Sequence, residues 1–308
     1  MNKIDYNFKN LVNEIRSKNL EDIYMHILTN YLKKDSKIRL SIEAFLDKFK
    51  YWGNLNSENN DYEELHLRAE TIKNHLSDYE WLYKSLNDYR SKQILYAILD
   101  YWYNSNFENL DKSYEKNYHQ YFDLDIIRCD ENEIFVDIGA YNGDTILNYI
   151  NNYKDYKKVY AYEITKENIE KMESNLKEYK NIYIVNKAIS DEKKTSFLMP
   201  NIVNSSANKA GEKGDILIEN TTLDDDIKEK ITFIKMDIEG DEFKAIKGAQ
   251  NHIKNDTPKL AIAVYHNHED LWKIPKTIHE INSNYKYYLR YFGNKYYPTE
   301  IILIAIPK

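Results

Sequence analysis

The chain has 308 residues, 42% of them hydrophobic, which is enough for one large domain or two ordinary ones with a sizeable core. The formal net charge of −7, with both signs interspersed, argues against a nucleic-acid partner or an anionic membrane, because both favour a basic face. A single cysteine, Cys129, excludes an internal disulfide. We see no signal peptide at Met1–Asn7 and no apolar run near the roughly 20 residues of a bilayer span, so we expect a cytoplasmic protein without membrane insertion.

The first part of the chain has the pattern of a helical region. Of the eight glycines only Gly53 precedes Gly139, and all five prolines come later still. Apolar residues recur at helical spacing in three stretches: Leu40, Ile42, Phe45, Leu46 and Phe49; Leu65, Leu67, Ile72 and Leu76; Ile94, Leu95, Ile98, Leu99 and Trp102. The Asn-rich stretch Gly53–Asn60 is predicted to be a loop between helices. We predict an all-helical N-terminal region, residues 1–120, suited to capping an acceptor site, docking a polymer or forming a homodimer.

From Glu133 onward short β-branched runs alternate with amphipathic stretches, a pattern typical of βαβ units. The predicted strands are Ile134–Ile138, Val159–Tyr162, Ile182–Asn186, Ile231–Met236, Lys259–Val264, Tyr285–Tyr291 and Thr299–Ile306. The predicted helices are Thr145–Tyr153, Lys166–Tyr179, Glu242–Lys254 and Asp270–Ile281. The last two strands have no helix between them and read as a hairpin with Gly293 in its turn. We therefore predict an α/β, Rossmann-like domain, residues 121–308, with a mostly parallel sheet and an antiparallel last strand.

The loop after the first of these strands has the features of a cofactor cradle. Gly139 and Gly143 allow a ligand to approach bare backbone, and a helix begins beside them near Asp144 and Thr145. The dinucleotide fingerprint Gly-x-Gly-x-x-Gly has a glycine at the position that Tyr141 occupies. An ordinary structural strand–turn–helix junction is the alternative interpretation of this loop.

The charge around the loop narrows the class of ligand. Asp137 and Asp144 flank the two glycines, and such acids disfavour a doubly charged pyrophosphate. They suit a cationic ligand, and the sulfonium and amino groups of S-adenosylmethionine are cationic. The loop therefore predicts the carboxypropyl-amine end of such a cofactor.

Two further strand ends extend this prediction. Glu163 ends a strand about 20 residues after Gly143, where an acid is placed to accept hydrogen bonds from both ribose hydroxyls of an adenosine. The alternative is that Glu163 is only a neighbour of a helix N-cap. Asn186 and the backbone to Ala188 follow the next strand and could contact an adenine edge, although an ordinary turn explains them equally well.

Acidic residues and histidines mark the same edge of the predicted sheet farther along the chain. Asp237 and Glu239 follow the strand Ile231–Met236, at the carboxyl edge where open α/β sheets bind ligands. Asp237 could hold the amino group, orient the acceptor hydroxyl or accept its proton. Asp241 and Glu242 have the simpler interpretation of helix-start acids, with Glu242 bracing the loop.

His266 follows the strand Lys259–Val264 and is therefore expected beside Asp237, as a general base or acceptor ligand. His268 is a weaker candidate. The acids and His266 also offer ligands for a divalent cation such as Mg²⁺, but their spacing does not predict one.

Five stretches together resemble the FkbM-type S-adenosylmethionine-dependent methyltransferases: Phe135–Thr145, Tyr160–Glu163, Thr221–Asp225, Phe233–Glu242 and Ala263–Pro275. The Asp-Ile-Glu-Gly-x-Glu piece after the glycine loop is the most specific. Ile164 departs from the proline common after the family's acid, which leaves Glu163 intact and changes the turn. Family members are O-methyltransferases of sugars, glycolipids or polyketides. The resemblance thus implies a carbohydrate acceptor, such as a bacterial capsule or surface-glycan precursor.

We predict an S-adenosylmethionine-dependent O-methyltransferase. The predicted cofactor-binding residues are Asp137, Gly139, Ala140, Tyr141, Gly143, Asp144, Thr145, Glu163, Ile164, Asn186, Ala188 and Asp237. The predicted catalytic residues are His266, Asp237 and Glu239. One alternative is an NAD(P)-dependent oxidoreductase on the same sheet, against which Tyr141 counts; another is a non-catalytic glycan-binding protein on a methyltransferase fold, against which the intact acids count.

Overall fold

The computed structural model of the protein describes residues 1–49, 51–201 and 205–308. The chain forms two compact units. The first unit consists of Met1–Lys116, Val264–Lys276 and Lys286–Leu303, and the second of Asn117–Ala263, Thr277–Tyr285 and Ile304–Lys308. The domain boundary expected at residues 120 and 121 stays a prediction.

The described part of residues 1–116 is helical, as predicted. Its helices are α1 (Lys3–Ser17), α2 (Leu20–Leu32), α3 (Ser36–Phe49), α4 (Glu63–Asn74), α5 (Leu76–Ser85), α6 (Tyr89–Asn104) and α7 (Phe107–Lys112). Side chains of Asn2, Asn19 and Asp88 accept hydrogen bonds from the first turns of α1, α2 and α6, which satisfies donors that the helix itself cannot. The expected loop Gly53–Asn60 lies between α3 and α4.

The apolar residues that recur at helical spacing do not all face the core. Ile42, Leu65 and Ile72 are buried, whereas Leu40 and Leu67 are 54% and 37% exposed. The two exposed leucines fall at the margin of an apolar stripe that covers only part of the helix surface.

The strands predicted after Glu133 form a mixed, mostly parallel sheet. Its strands are β1 (Ile134–Ile138), β2 (Lys158–Tyr162), β3 (Ile182–Val185), β8 (Phe233–Met236), β9 (Lys259–Ala263), β10 (Tyr285–Tyr291) and β11 (Ile301–Pro307). Their order is β10-β11-β9-β8-β1-β2-β3, and the pairs from β9 to β3 are parallel. Phe292 N donates to Glu300 O and Lys308 N to Asn284 O, so β10 and β11 form the predicted antiparallel hairpin.

Helices follow the parallel strands at nearly the predicted positions. They are α8 (Asp144–Tyr153), α9 (Lys166–Leu176), α11 (Glu242–Gly248) and α12 (Asp270–Ile281). The short helix α10 (Leu223–Asp226), which precedes β8, was not predicted. The prediction of one helix from Glu242 to Lys254 was wrong, because α11 ends at Gly248 and a π-helical turn, His252–Asp256, follows it. A side chain at Gly248 would place its Cβ 1.9 Å from Ser190 O, so close packing requires glycine there.

A second, smaller sheet was not predicted. It contains β4 (Ala188–Ile189), β5 (Lys194–Met199), β6 (Lys209–Gly211) and β7 (Leu217–Thr221), in the order β4-β7-β5-β6 among the described residues. These strands are short and mix polar with apolar residues, so they lack the β-branched runs that marked the large sheet. The turn Ser205–Ala207 precedes β6.

Aromatic rings fill the core of the second unit beneath β1. Phe122, which is 1% exposed, lies within 6.3 Å of the rings of Phe135, Tyr149 and Phe233. Cys129 is half-buried, and burial raises the pKa of its thiol well above the usual range. In the described part of the chain, no helix combines the length and apolarity that a bilayer crossing needs.

Candidate functional site

The glycine loop joins β1 to α8 through three residues with positive φ. Gly139 has φ 81°, and a Cβ there would lie 1.9 Å from Asp237 O on the neighbouring strand end. Gly143 has φ 84° and begins α8. Tyr141 has φ 49°, a conformation that a residue with a side chain adopts only when its surroundings hold it.

Glu163 supplies part of that support. Its carboxylate accepts hydrogen bonds from Tyr141 N at 2.9 Å, Ile164 N at 2.9 Å and Thr165 N at 2.7 Å. Burial raises the pKa of Glu163, although the three N–H donors oppose that shift. The acid at the end of β2 therefore ties the glycine loop to the turn that follows β2.

A cleft lies over the carboxyl ends of β1, β2 and β8 in the second unit. Its lining residues are Ile138, Gly139, Tyr141, Tyr162, Glu163, Ile164, Lys187, Ala188, Ile189, Ser206, Asn208, Lys209, Ala210, Asp237, Ile238, Glu239 and Asp241. The cleft therefore occupies the edge of the sheet where parallel strands bind ligands.

The structure places the predicted cofactor residues in two groups. Six line the cleft: Gly139, Tyr141, Glu163, Ile164, Ala188 and Asp237. The others lie in or behind the supporting loops: Asp137, Ala140, Gly143, Asp144, Thr145 and Asn186. Asn186 is exposed, and its Nδ2 donates to Glu163 O at 2.9 Å, so the backbone after it, rather than its side chain, faces the cleft.

Asp137 and Lys235 form a buried ion pair behind the glycine loop. Lys235 Nζ lies 3.0 Å from Asp137 Oδ1 and donates to Gly139 O at 2.8 Å. Burial raises the pKa of Asp137 to about 6 against the opposing charge of Lys235. Burial alone would lower the pKa of Lys235, but the charges of Asp137 and Asp237 outweigh it and raise that pKa. Lys235 is a site residue that sequence reasoning missed, although a lysine inside the buried strand β8 was a usable signal.

Tyr121 is the second residue that sequence reasoning missed. It is 7% exposed, has φ 73°, and its hydroxyl donates to Asp237 Oδ2. Its ring centroid lies 5.0 Å from Lys235 Nζ. No sequence pattern links Tyr121 to Asp237, because 116 residues separate the two.

The turn after β8 presents the acidic residues of the cleft. Glu239 and Gly240 have φ 62° and 107°, and the Glu242 carboxylate accepts hydrogen bonds from Ile238 N at 2.8 Å and Gly240 N at 3.1 Å. Glu242 thus braces the loop. Asp241 precedes α11, lines the cleft and lies 2.7 Å from Lys244 Nζ.

The two candidate histidines belong to the first unit. His266 is 3% exposed, and its ring centroid lies 5.4 Å from that of Tyr51 and 4.1 Å from that of Tyr265. His268 Nε2 lies 3.3 Å from the buried Glu64 carboxylate, and its ring stacks on Trp52. The pairing of His266 with Asp237 stays a prediction.

The strand order, the glycine loop and the cleft define an S-adenosylmethionine-dependent methyltransferase fold. The pattern of the methyltransferase FkbM domain matches residues 137–296, which is more than half of the chain. The chain therefore belongs to the FkbM methyltransferase family, as the sequence resemblance had indicated.

One solved structure agrees with this assignment. A methyltransferase FkbM from Methylobacillus flagellatus KT is similar over 77% of this chain, with 26% identity and a TM-score of 0.66; the match spans 61% of that longer chain. A putative methyltransferase from Streptococcus mutans in complex with SAH shows 17% identity and a TM-score of 0.38, over 58% of this chain and 90% of that one.

Aeropyrum pernix fibrillarin with natively bound S-adenosyl-L-methionine shows 10% identity and a TM-score of 0.38, over 59% of this chain and 70% of that one. The family assignment does not depend on these last two similarities, which are limited. A comparison with curated proteins gave no match.

Proposed function

We propose that this protein is an S-adenosylmethionine-dependent O-methyltransferase that acts on an oxygen of a carbohydrate or surface-glycan precursor. The observation that carries the proposal is the cleft. There the glycine loop after β1, the acid Glu163 after β2 and the end of β8 meet. The carbohydrate acceptor rests on the family resemblance, whose members methylate sugars, glycolipids or polyketides.

The residues of the cleft fit the proposed cofactor. Glycine at position 139 leaves room that a Cβ would fill, which suits the carboxypropyl-amine end against the loop. Glu163 suits the ribose hydroxyls, because it lines the cleft and three backbone N–H groups fix its carboxylate, whose oxygens can accept further hydrogen bonds. Ala188 and Ile189 offer backbone and an apolar surface to the adenine.

The bound cofactor would supply an electrophilic methyl group on a sulfonium. This chain's residues would align the acceptor oxygen with that methyl group, and alignment of this kind is worth roughly 7–11 kcal/mol of the barrier. Methylation of a hydroxyl releases one proton. His266, Asp237 and Glu239 are the candidate groups to take it, and a positioned base typically contributes about 10²–10⁴-fold.

Calorimetric titration with S-adenosylmethionine tests the cofactor. We expect wild-type protein to bind it and Glu163→Ala to lose at least about tenfold in affinity, because the ribose contact and the support of Tyr141 disappear together. Glu229→Ala is the matched control, since it also removes a carboxylate beside β2 but lies outside the cleft. If wild-type protein does not bind S-adenosylmethionine, the proposal is wrong. A parallel fluorescence titration with NADH tests the oxidoreductase alternative and should show no binding.

Transfer of a labelled methyl group to a panel of glycans tests the acceptor. We expect His266→Ala to lose turnover by about 10²-fold or more while keeping cofactor affinity, as removal of a general base does. Assays with and without EDTA decide whether a divalent cation takes part. Equal turnover of wild type and His266→Ala would remove His266 from the catalytic residues.

A further inference from the structure

The ends of β2 and β8 flank the glycine loop symmetrically. Ile138, the last residue of β1, pairs with Tyr162 on one side and with Met236 on the other. Glu163 and Asp237 are the next residues of those two strands, so their backbones lie about 10 Å apart, two strand spacings, across the loop. A ligand whose ribose is held at Glu163 and whose chain crosses Gly139 therefore ends beside Asp237.

Tyr121 fixes the Asp237 side chain at that end. Its hydroxyl donates to Asp237 Oδ2 and accepts from Gln120 Nε2 at 3.1 Å, so the hydroxyl is oriented from both sides. The backbone of Tyr121 has φ 73°, a left-handed conformation that persists in a residue with a side chain only where the surroundings impose it. The neighbouring Phe122, packed in the aromatic core, anchors the strained residue.

Lys235 sets the charge of this end of the cleft. Its ammonium contacts Asp137, Gly139 O and the face of the Tyr121 ring, and it is 2% exposed. The ion pair cancels the charge of Asp137. Asp144, the other acid near the pair, is exposed and screened by solvent. Of the aspartates beside the glycine loop, Asp237 is thus the one that lines the cleft and offers its charge to a cationic group at the end of the ligand.

We propose that Tyr121 is a positioning residue that holds the Asp237 carboxylate for the α-ammonium group of the cofactor's amino-acid chain, with Lys235 balancing Asp137 behind it. The inference rests on the proposed function and deepens it. Asp237 would contact the cofactor directly, and Tyr121 would act only through Asp237.

Three ligands separate this role from a general effect on the fold. S-adenosylmethionine and S-adenosylhomocysteine both carry the α-ammonium group, whereas 5′-methylthioadenosine lacks the amino-acid chain and keeps the adenosine. By calorimetry we expect Tyr121→Phe to lower the affinity for the first two ligands about tenfold, which is the effect of losing one hydrogen bond to a charged group. The affinity for methylthioadenosine should change less than about twofold. Asp237→Asn should weaken the same two ligands by about tenfold or more and spare the third.

Tyr160→Phe is the matched control, because Tyr160 also donates to a carboxylate, Glu229 Oε1 at 2.6 Å, but lies outside the cleft. It should bind all three ligands as wild type does. In the double variant Tyr121→Phe with Asp237→Asn, the losses should not add, since both changes break one linked contact.

The outcomes distinguish the two proposals. Wild-type protein that binds none of the three ligands overturns the proposed function itself. Wild-type binding with Tyr121→Phe unchanged, or with all three ligands weakened equally, overturns only the role of Tyr121. If Tyr121→Phe fails to fold in circular dichroism, Asp237→Asn, at a half-buried position, decides on the ammonium contact by the same comparison of ligands.

Discussion

At the scale of single residues, the site depends on backbone conformations that most side chains avoid. Gly139, Tyr141, Gly143, Glu239 and Gly240 all have positive φ, and they surround the cleft on two strand ends. Two carboxylates, Glu163 and Glu242, hold these turns by accepting backbone N–H groups. The acids of the motif therefore shape the site as well as offering contacts to a ligand.

Gly139→Ala should abolish cofactor binding. The new Cβ would lie 1.9 Å from Asp237 O, so the end of β8 must move, and a φ of 81° adds strain of about 1 kcal/mol. Calorimetry should show no measurable affinity for S-adenosylmethionine.

Gly53→Ala is the control for Gly139→Ala. It carries the same kind of strain at φ 101°, but its Cβ meets only side chains, Leu67 Cδ1 at 3.0 Å and Glu63 Cγ and Oε2 at 3.4 Å. Its affinity for the cofactor should equal that of wild type. Full affinity in Gly139→Ala would contradict the placement of the cofactor against the loop.

Some site residues could be predicted from the sequence because local patterns reveal them. Glu163 follows a β-branched strand at a fixed distance from Gly143, and Asp237 follows another, so the carboxyl edge of the sheet brings both to the cleft. Tyr121 lies in an irregular segment, and its contact with Asp237 is set by tertiary packing. A tertiary contact of this kind leaves no periodic pattern in the sequence from which it could be predicted.

At the scale of elements, buried strands were predicted best. β1 and β10 have the predicted bounds. For β1 the reason is plain, because its apolar run lies between Glu133 and Gly139. The strands β5, β6 and β7 were missed, although Ser206, Asn208 and Ala210 form one wall of the cleft. Short strands of mixed composition take their structure from their partners, so the sequence alone carries little signal for them.

Helix α6 and strand β10 are linked by one acid within the first unit. Asp88 Oδ1 accepts from Ser91 N at 2.7 Å as the N-cap of α6, and Oδ2 lies 2.8 Å from Arg290. Burial opposes ionisation, but the hydrogen bonds from Arg290 and Ser91 prevail and lower the pKa of Asp88. A lowered pKa means that the ionised acid stabilises the folded state above its unfolded pKa, and that this stability is lost as pH falls through the folded pKa.

Asp88→Asn should therefore destabilise the protein by about 1–2 kcal/mol at pH 7, because asparagine keeps the cap but loses the charge that faces Arg290. The deficit should shrink as pH falls below about 4, where Asp88 of the wild type takes up its proton. Urea unfolding of both proteins from pH 7 to pH 3 measures the difference. A deficit that stays constant over this range would show that the charge contributes nothing.

At the scale of the whole molecule, two compact units share one chain that crosses between them several times. The cleft is built entirely from residues of the second unit. A ligand that binds the cleft therefore stabilises the unit that contains it directly.

S-adenosylmethionine at 100 times its dissociation constant should raise the free energy of unfolding by about 2.7 kcal/mol, by mass action. Calorimetric scans should show the melting temperature rising by several degrees with added cofactor. If the units melt separately, the second unit's transition should move. Glu163→Ala, with at least about tenfold weaker binding, should gain no more than about 1.4 kcal/mol at the same concentration, and a shift equal to that of wild type would contradict its role.

The state of Cys129 has a practical consequence. A half-buried thiol whose pKa is raised stays protonated at neutral pH, and a protonated thiol reacts slowly with maleimides. Cys129 of the natural chain should therefore not compete with an introduced cysteine for a maleimide label. A cysteine introduced at the exposed Lys209, on the wall of the cleft, would carry a fluorophore that reports ligand arrival in real time, with no native residue removed first.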